Sequence, residues 1–153
     1  MPQFHMRVAC RNDVDTLFRW LNDPTSISAK LVTTSVVRYE SHCDWFDHRL
    51  ADEKCKIWIA IHDDIDVGQA RVQLGEDQEL EVDIYVDKEA RCKGIAFKIL
   101  EYVAKECKFA WPHSPLIATI RNDNSASIAL FSRAGYKKLE QNNTFLKMKR
   151  LPQ

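Results

Sequence analysis

The sequence predicts one α+β domain over residues 1–153, a mixed and mostly antiparallel sheet of about six to seven strands flanked by about four helices. Three observations predict it. The chain has 153 residues, 45% hydrophobic and 29% charged, which suits one soluble domain with a real core and no need of disulfide or metal staples. Between Ile57 and Val86 three extended runs follow one another across short turns, the pattern of an antiparallel meander. Around that meander lie stretches whose apolar residues recur at helical spacing.

The elements follow in chain order. His5 to Ala9 reads as a short strand. Asn12 or Asp13 offers an N-cap oxygen to a helix carrying Val14, Leu17, Phe18 and Leu21, and Asn22-Asp23-Pro24 ends it, because the residue before a proline avoids the helical region. A polar, β-branched stretch runs to Val37. His42, Trp45, Phe46, Arg49 and Leu50 share one face of a second helix. Ile57 to Ile61 is an apolar run closed by the turn signal Asp63-Asp64. Val67 to Leu74 alternates and ends at Gly75. Leu80 to Val86 also alternates, with Val82, Ile84 and Val86 facing one way and Glu81, Asp83 and Tyr85 the other. A helix from about Ile95 to Lys108 presents Ala96, Ile99, Leu100, Val103 and Cys107. Leu116 to Ile120 is a strand. Asn124 caps a short helix through Ala134, which Gly135 ends. Tyr136–Leu139 and Thr144–Met148 form a closing hairpin.

Charge and composition exclude several function classes. Lys plus Arg is 22 and Asp plus Glu is 22, so the basic excess of a general nucleic-acid or membrane-surface binder is missing. No apolar run approaches the roughly 18 residues of a membrane span. Met1 to Arg11 lacks the apolar core of a signal peptide, and a cytoplasmic location is expected. The five cysteines (Cys10, Cys43, Cys55, Cys92 and Cys107) are scattered without a CxxC or CxxH pair, so reduced thiols and no metal are expected.

Arg91-Cys92-Lys93-Gly94-Ile95-Ala96 follows an alternating strand and opens a helix. A helix N-terminus leaves N–H groups unpaired and carries partial positive charge. Gly94 lets a phosphate oxygen approach the backbone, and Arg91 and Lys93 add formal charge, so the loop suits a phosphate or pyrophosphate. The bland alternative is an ordinary strand–helix turn. The loop lacks the Gly-Lys-Ser/Thr of a P-loop and the third glycine of a dinucleotide fingerprint.

The run Ile84 to Ala90 followed by Arg91 to Ala96 resembles the acetyl-CoA-binding motif of the GCN5-related N-acetyltransferases (GNAT), Gln/Arg-x-x-Gly-x-Gly/Ala after a strand. Asn122 to Tyr136 is similar to the family's Asn-x-x-Ser/Ala-x-x-x-Tyr/Phe-x-x-x-Gly-Phe/Tyr block. The two motifs stand in the family's order, and the resemblance covers essentially the whole chain. It implies the GNAT fold and acetyl-CoA as co-substrate. It implies that the Val86 backbone holds the pantetheine arm and supplies an oxyanion donor. The N–H groups of Arg91, Cys92, Lys93, Gly94, Ile95 and Ala96 then hold the pyrophosphate, with Asn124, Ser127 and Phe131 beside the cofactor.

Three departures follow from the same comparison. Cys92 and Ala96 stand where the family favours glycine, which is tolerable if both keep ordinary backbone angles and only Gly94 needs a glycine's freedom. Phe131 stands where many members carry a tyrosine thought to protonate the leaving thiolate. Asn124 is expected to serve the cofactor or a bound water, or to be an N-cap alone, or both.

The chemistry needs an amine stripped of its proton, so a carboxylate or histidine acting directly or through water is useful. Glu81, Asp83 and His42 stay open as the base, with Asn124 as a further catalytic candidate, and a solvated strand face is the plain alternative for the two acids. Arg19 to Pro24 with His42 to Phe46 resembles a subgroup acting on amino-sugar nucleotides, including pseudaminic-acid-type pathways, and is also similar to acetyltransferases of ribosomal-protein N-termini. On the first resemblance Trp45 or Phe46 stacks on a ring, and Asn22, His42 and Arg71 bind hydroxyls or phosphate. The alternative makes Trp20, Trp45 and Phe46 core.

The expected activity is transfer of acetyl to a primary amine of a small molecule by direct attack in a ternary complex. No nucleic acid and no membrane are expected as partners, and a homodimer fits the family resemblance. The competing readings are a protein N-terminal acetyltransferase, a catalytically silent CoA-binding module and a nucleotide or phosphosugar binder.

Overall fold

The structure, a computed structural model, describes residues 3–23 and 37–152. Pro24 and the stretch up to Val36, part of the expected helix stop and polar connection, lie outside the described residues. Seven strands form one sheet in the order β1-β2-β3-β4-β5-β7-β6. They are β1 (Phe4–Val8), β2 (Cys55–His62), β3 (Ile65–Leu74), β4 (Leu80–Val86), β5 (Leu116–Arg121), β6 (Lys137–Gln141) and β7 (Phe145–Arg150). Four α-helices accompany them among the described residues: α1 (Val14–Leu21), α2 (Tyr39–Ala51), α3 (Ile95–Ala110) and α4 (Ser125–Arg133). The α+β architecture is the one expected, with every described element present.

The two faces of the sheet bury different partners. On one face Trp58, Ala60, Val72, Leu80, Val82, Ala118 and Met148 pack against Ile95, Ile99, Leu100 and Val103 of α3 and Phe131 of α4. On the other, Ile57, Ile59 and Ile61 pack against Leu17 and Trp20 of α1 and Phe46 of α2. β2 is covered on both faces from Ile57 to Ile61, which is why that stretch is an unbroken apolar run. In β4 Leu80, Val82 and Val86 are buried, Glu81 and Asp83 are exposed, and Tyr85 is half-buried against the second cluster. The alternation in its sequence records a face that the α1–α2 layer leaves largely open.

The start of α1 differs from expectation. Residues Arg11–Asp13 form a 3-10 turn, and Asp13 makes no side-chain cap to the helix that follows. Its carboxylate turns back instead, taking Arg7 through both guanidinium nitrogens (2.9 and 2.7 Å) and the Cys10 N–H (2.8 Å). A buried carboxylate beside a strand-borne guanidinium gains more from a bidentate pair than from one backbone N–H.

Among the described residues the one parallel contact in the sheet is between β4 and β5, and it is short. Leu80 pairs with Leu116 and Glu81 with Ile117, and no further pair follows. On its other edge β4 stays paired to β3 from Leu80 to Val86. Beyond Glu81, β4 and β5 therefore part, and a wedge opens between them.

Candidate active site

The wedge exposes one edge of β4 to a cofactor. Asp87 donates its N–H to the Val67 carbonyl (2.7 Å), so the neighbouring Gly68–Val86 pair is the one whose backbone groups point away from each other. The Val86 N–H and C=O thus face the wedge. The C=O accepts the Arg91 Nε–H at 2.9 Å. Close approach of β3 makes this possible, since a Cβ on Gly68 would overlap the Tyr85 carbonyl oxygen and sit 3.3 Å from the Val86 Cα.

Past Val86, a short 3-10 turn (Lys88–Ala90) leads to the N-terminus of α3. Gly94 is its N-cap with φ 76°, and a Cβ there would meet nothing within 4 Å. The N–H groups of Ile95, Ala96 and Phe97 take no backbone acceptor among the described residues, the normal condition of a first helical turn. A cavity of about 200 Å³ lies in front, bounded by Val86, Ala90, Arg91, Gly94, Leu130 and Arg133. Unpaired donors, open space at Gly94 and the guanidiniums of Arg91 and Arg133 suit an anionic, phosphate-bearing group. The residues expected to hold acetyl-CoA thus fit it.

One expectation about this loop is corrected. Cys92 has φ 65°, in the left-handed region, so Gly94 is not alone there. The glycine that the family prefers at Cys92 has a conformational reason, and the exposed Cys92 side chain meets it with a backbone angle that an L-residue rarely adopts. Lys93 is exposed, Ile95 is buried, and Ala96 packs at the edge of the core. The Asn124 Oδ1 accepts the Ser127 N–H at 3.2 Å, the N-cap of α4, while its Nδ2 makes no hydrogen bond among the described residues. Phe131 is buried edge-to-face against Tyr136 with centroids 4.9 Å apart, and it brings no proton to the site.

The opposite side of β4 carries the acids. Asp83 is paired, to Gln69 Nε2 at 3.2 Å and, more loosely, to Arg71 at 3.9 Å. Glu81 makes no ion pair among the described residues, and its Oε1 accepts the Thr119 hydroxyl at 3.0 Å. Glu81 keeps exposed surface, yet its carboxyl is partly withdrawn from solvent. Desolvation there raises its pKa above the ordinary value, against the Thr119 hydroxyl and Lys147, which pull it down.

The residues expected to bind the acceptor are mostly committed elsewhere. His42 is 2% exposed, stacked on Phe46 and Trp45, with Nε2 3.2 Å from the Val14 carbonyl. Sealed between α1 and α2, it reaches neither an acceptor nor its proton, which corrects its expected role. Asn22 spends its amide on Val37, accepting its N–H at 2.9 Å and donating to its carbonyl at 3.2 Å. The guanidiniums of Arg49 and Arg71 both lie over the Trp45 ring, at 5.7 and 5.1 Å, so cations already use the face expected to stack on a sugar. Arg71 alone of the four faces the acids.

Three participants escape the sequence reading. Tyr85 donates its hydroxyl to Asp23, which also accepts from Arg91 NH2 at 3.4 Å, and the Arg91 guanidinium lies 5.5 Å from the Tyr85 ring centroid. Burial, then Asp23, pushes the Tyr85 phenol far above its ordinary range. Thr119 is the third. Alternation places Tyr85 beside Glu81 and Asp83, but nothing local in the sequence ties Asp23 to Arg91 across 68 residues or Thr119 to Glu81. The five cysteines are all free, and burial pushes the Cys107 thiol up to about 12. No group of side chains suited to a metal ion occurs among the described residues.

The comparisons agree with this geometry. No curated protein matches the chain in sequence. Among solved structures, a ribosomal-protein-alanine N-acetyltransferase from Brucella melitensis superposes with a TM-score of 0.80 at 24% identity over 96% of this chain and 99% of its own. An N-acetyltransferase from Staphylococcus aureus Mu50 gives 0.84 at 20% identity, covering 99% of both chains. A spermidine N-acetyltransferase from Vibrio cholerae, in complex with CoA and spermine, gives 0.85 at 13% identity over 98% of this chain and 96% of its own. At such identities these likenesses speak for the fold. The family is decided by sequence, because residues 3–137 match the acetyltransferase (GNAT) domain. The wedge and the turn at Gly94 lie within that match, and this chain belongs to the GNAT family of acetyltransferases, which use acetyl-CoA.

Proposed function

We propose that the protein transfers acetyl from acetyl-CoA to a primary amine of a small molecule, by direct attack in a ternary complex. One observation carries this reading. The open edge of β4 at Val86 faces a phosphate-binding turn, while Glu81 projects from the same strand onto the face left for an acceptor.

Acetyl-CoA supplies the acetyl group, activated as a thioester. The turn from Arg91 to Ala96 and the Val86 backbone hold the cofactor, and Ser127 and Asn124 bound the site from α4. Glu81 is the base. Its raised proton affinity suits it to take a proton from an ammonium near neutral pH, and Asp83, held by Arg71 and Gln69, suits that task less. Taking that proton frees the nitrogen lone pair for attack on the carbonyl carbon; the carbon–sulfur bond then breaks with its electron pair on sulfur, and the nitrogen sheds its second proton to solvent. Phe131 has no proton to give and the Tyr85 hydroxyl is committed to Asp23, so solvent protonates the leaving thiolate.

An amino-sugar nucleotide as acceptor rests on Asn22, His42, Trp45 and Arg71, and within the protein Asn22 is bonded to Val37, His42 is buried and Trp45 is covered by Arg49 and Arg71. We keep the amine class and let the assay choose among members. Thiol release is to be followed with acetyl-CoA and spermidine, an alanine-initiated peptide or a UDP-linked amino sugar. Turnover on one of them is expected, and turnover on the peptide alone would favour the N-terminal acetyltransferase. Gly94→Glu puts bulk and negative charge at the open turn and should abolish the calorimetric response to acetyl-CoA. Normal binding by that variant would show that the cofactor lies elsewhere. Silence on every amine, with binding retained, would leave a CoA-binding module. A homodimer and a cytoplasmic location complete the reading. Light scattering tests the former, and no helix among the described residues is long and apolar enough to cross a membrane.

A further inference from the structure

We infer that Thr119 is a positioning residue for the base. This rests on the reading of Glu81 above. Thr119 lies on β5 two residues beyond Ile117, the last residue paired with β4, so its side chain stands at the mouth of the wedge. Its hydroxyl is the only hydrogen-bond donor that the described residues offer to Glu81, bonding Oε1 at 3.0 Å across the gap between the parted strands. A single donor on one oxygen fixes the plane of the carboxylate and leaves Oε2 to take the proton. A lysine in that place would hold the carboxylate ionised and spoil it as a base, whereas a neutral hydroxyl orients it at little cost in basicity.

The surrounding charges leave this role to Thr119. Arg71 on β3 faces Asp83, at 3.9 Å. Lys147 on β7 is shared between Glu79 (3.9 Å) and Glu140 (3.8 Å), and Lys149 reaches Glu79 at 3.2 Å. Gln73, the partner of Glu81 on β3, donates to Asp52 at 3.2 Å and accepts from Arg49. Asp83, Arg71 and Lys147 set the field at Glu81 from a distance, and among the described residues Thr119 is the one that hydrogen-bonds its carboxylate.

The test compares Thr119→Val, of the same shape without the hydroxyl, with Thr119→Ser, which keeps it. The Glu81 carboxyl carbon is titrated by NMR in the full chain without ligand. Steady-state rates are measured with acetyl-CoA and the best of the three amines named above. Thr119→Val should move the Glu81 titration to higher pH, carry the acidic limb of the rate profile with it, and lower kcat about tenfold with KM for acetyl-CoA unchanged. Thr119→Ser should restore both. An unmoved titration in Thr119→Val, or an unchanged kcat despite a moved titration, would overturn the proposal while leaving Glu81 as the base. Full turnover by Glu81→Gln would instead remove the base itself, and with it anything for Thr119 to position.

Discussion

Cys92 shows what one backbone angle can reveal. Its φ of 65° places a side chain where glycine is at ease, at a cost of about 1–2 kcal/mol for an L-residue. The neighbouring requirement at Gly94 was legible, because a helix start beside basic residues needs room. The angle at Cys92 was not, since both its side chain and its sequence neighbours are compatible with ordinary dihedrals. Cys92→Gly should therefore stabilise the protein by about 1 kcal/mol, read as a higher urea midpoint at unchanged slope. An equal or lower midpoint would mean that the turn relaxes around the cysteine. The same reasoning separates the two acids of β4. Both were visible as one strand face, but that Asp83 is paired with Arg71 while Glu81 has only a hydroxyl depends on strands that meet far apart in sequence.

At the scale of the element, β4 performs two tasks because it has two edges and two faces. One edge is laddered to β3 along its length, and the other is released from β5 after two pairs. Gly68 sets how closely β3 holds β4 at the point of release. Gly68→Ala would push a methyl group against the Tyr85 carbonyl and the Val86 backbone, with no flexible side chain able to give way. It should cost about 1–3 kcal/mol of stability and weaken acetyl-CoA binding, because the Val86 backbone moves with the strand. Thermal unfolding and calorimetry check the two effects. A stability loss with unchanged binding would show that Val86 does not hold the cofactor. The alternation of Leu80 to Val86 predicted the faces correctly, but an edge has no signature in the sequence of a single strand.

At the scale of the whole molecule, a total charge of zero conceals a sorted distribution. Cations line the turn before α3, and carboxylates lie on the far face of β4, where Asp83 is paired with Arg71 and Glu81 has only the Thr119 hydroxyl. The pair most relevant to global stability is remote from the site. Burial works to raise the Asp13 carboxyl, but the Arg7 hydrogen bonds and the Cys10 N–H outweigh it and hold the pKa below the ordinary value. A carboxyl with a lowered folded pKa contributes stability above its unfolded pKa, near 4, and loses it as pH falls through the folded value. Asp13→Asn should therefore cost roughly 2 kcal/mol at pH 7, less than for a fully buried pair because Arg7 is partly exposed, and much less near pH 2. Urea unfolding at both pH values measures this. An equal loss at both would assign the effect to packing rather than charge.

Local periodicity and turn chemistry by themselves determined the element order, the buried stripe of α3, the two acids on one face of β4 and the glycine turn that opens α3 at Gly94, because each depends on residues a few positions apart. Tertiary structure alone decided the parting of β4 from β5, the burial of His42 and the engagement of Trp45 by two arginines. It also decided the left-handed turn at Cys92 and the contact of Thr119 with Glu81. Most of these follow from which distant segments meet and in what register, and sequence spacing carries no direct measure of that.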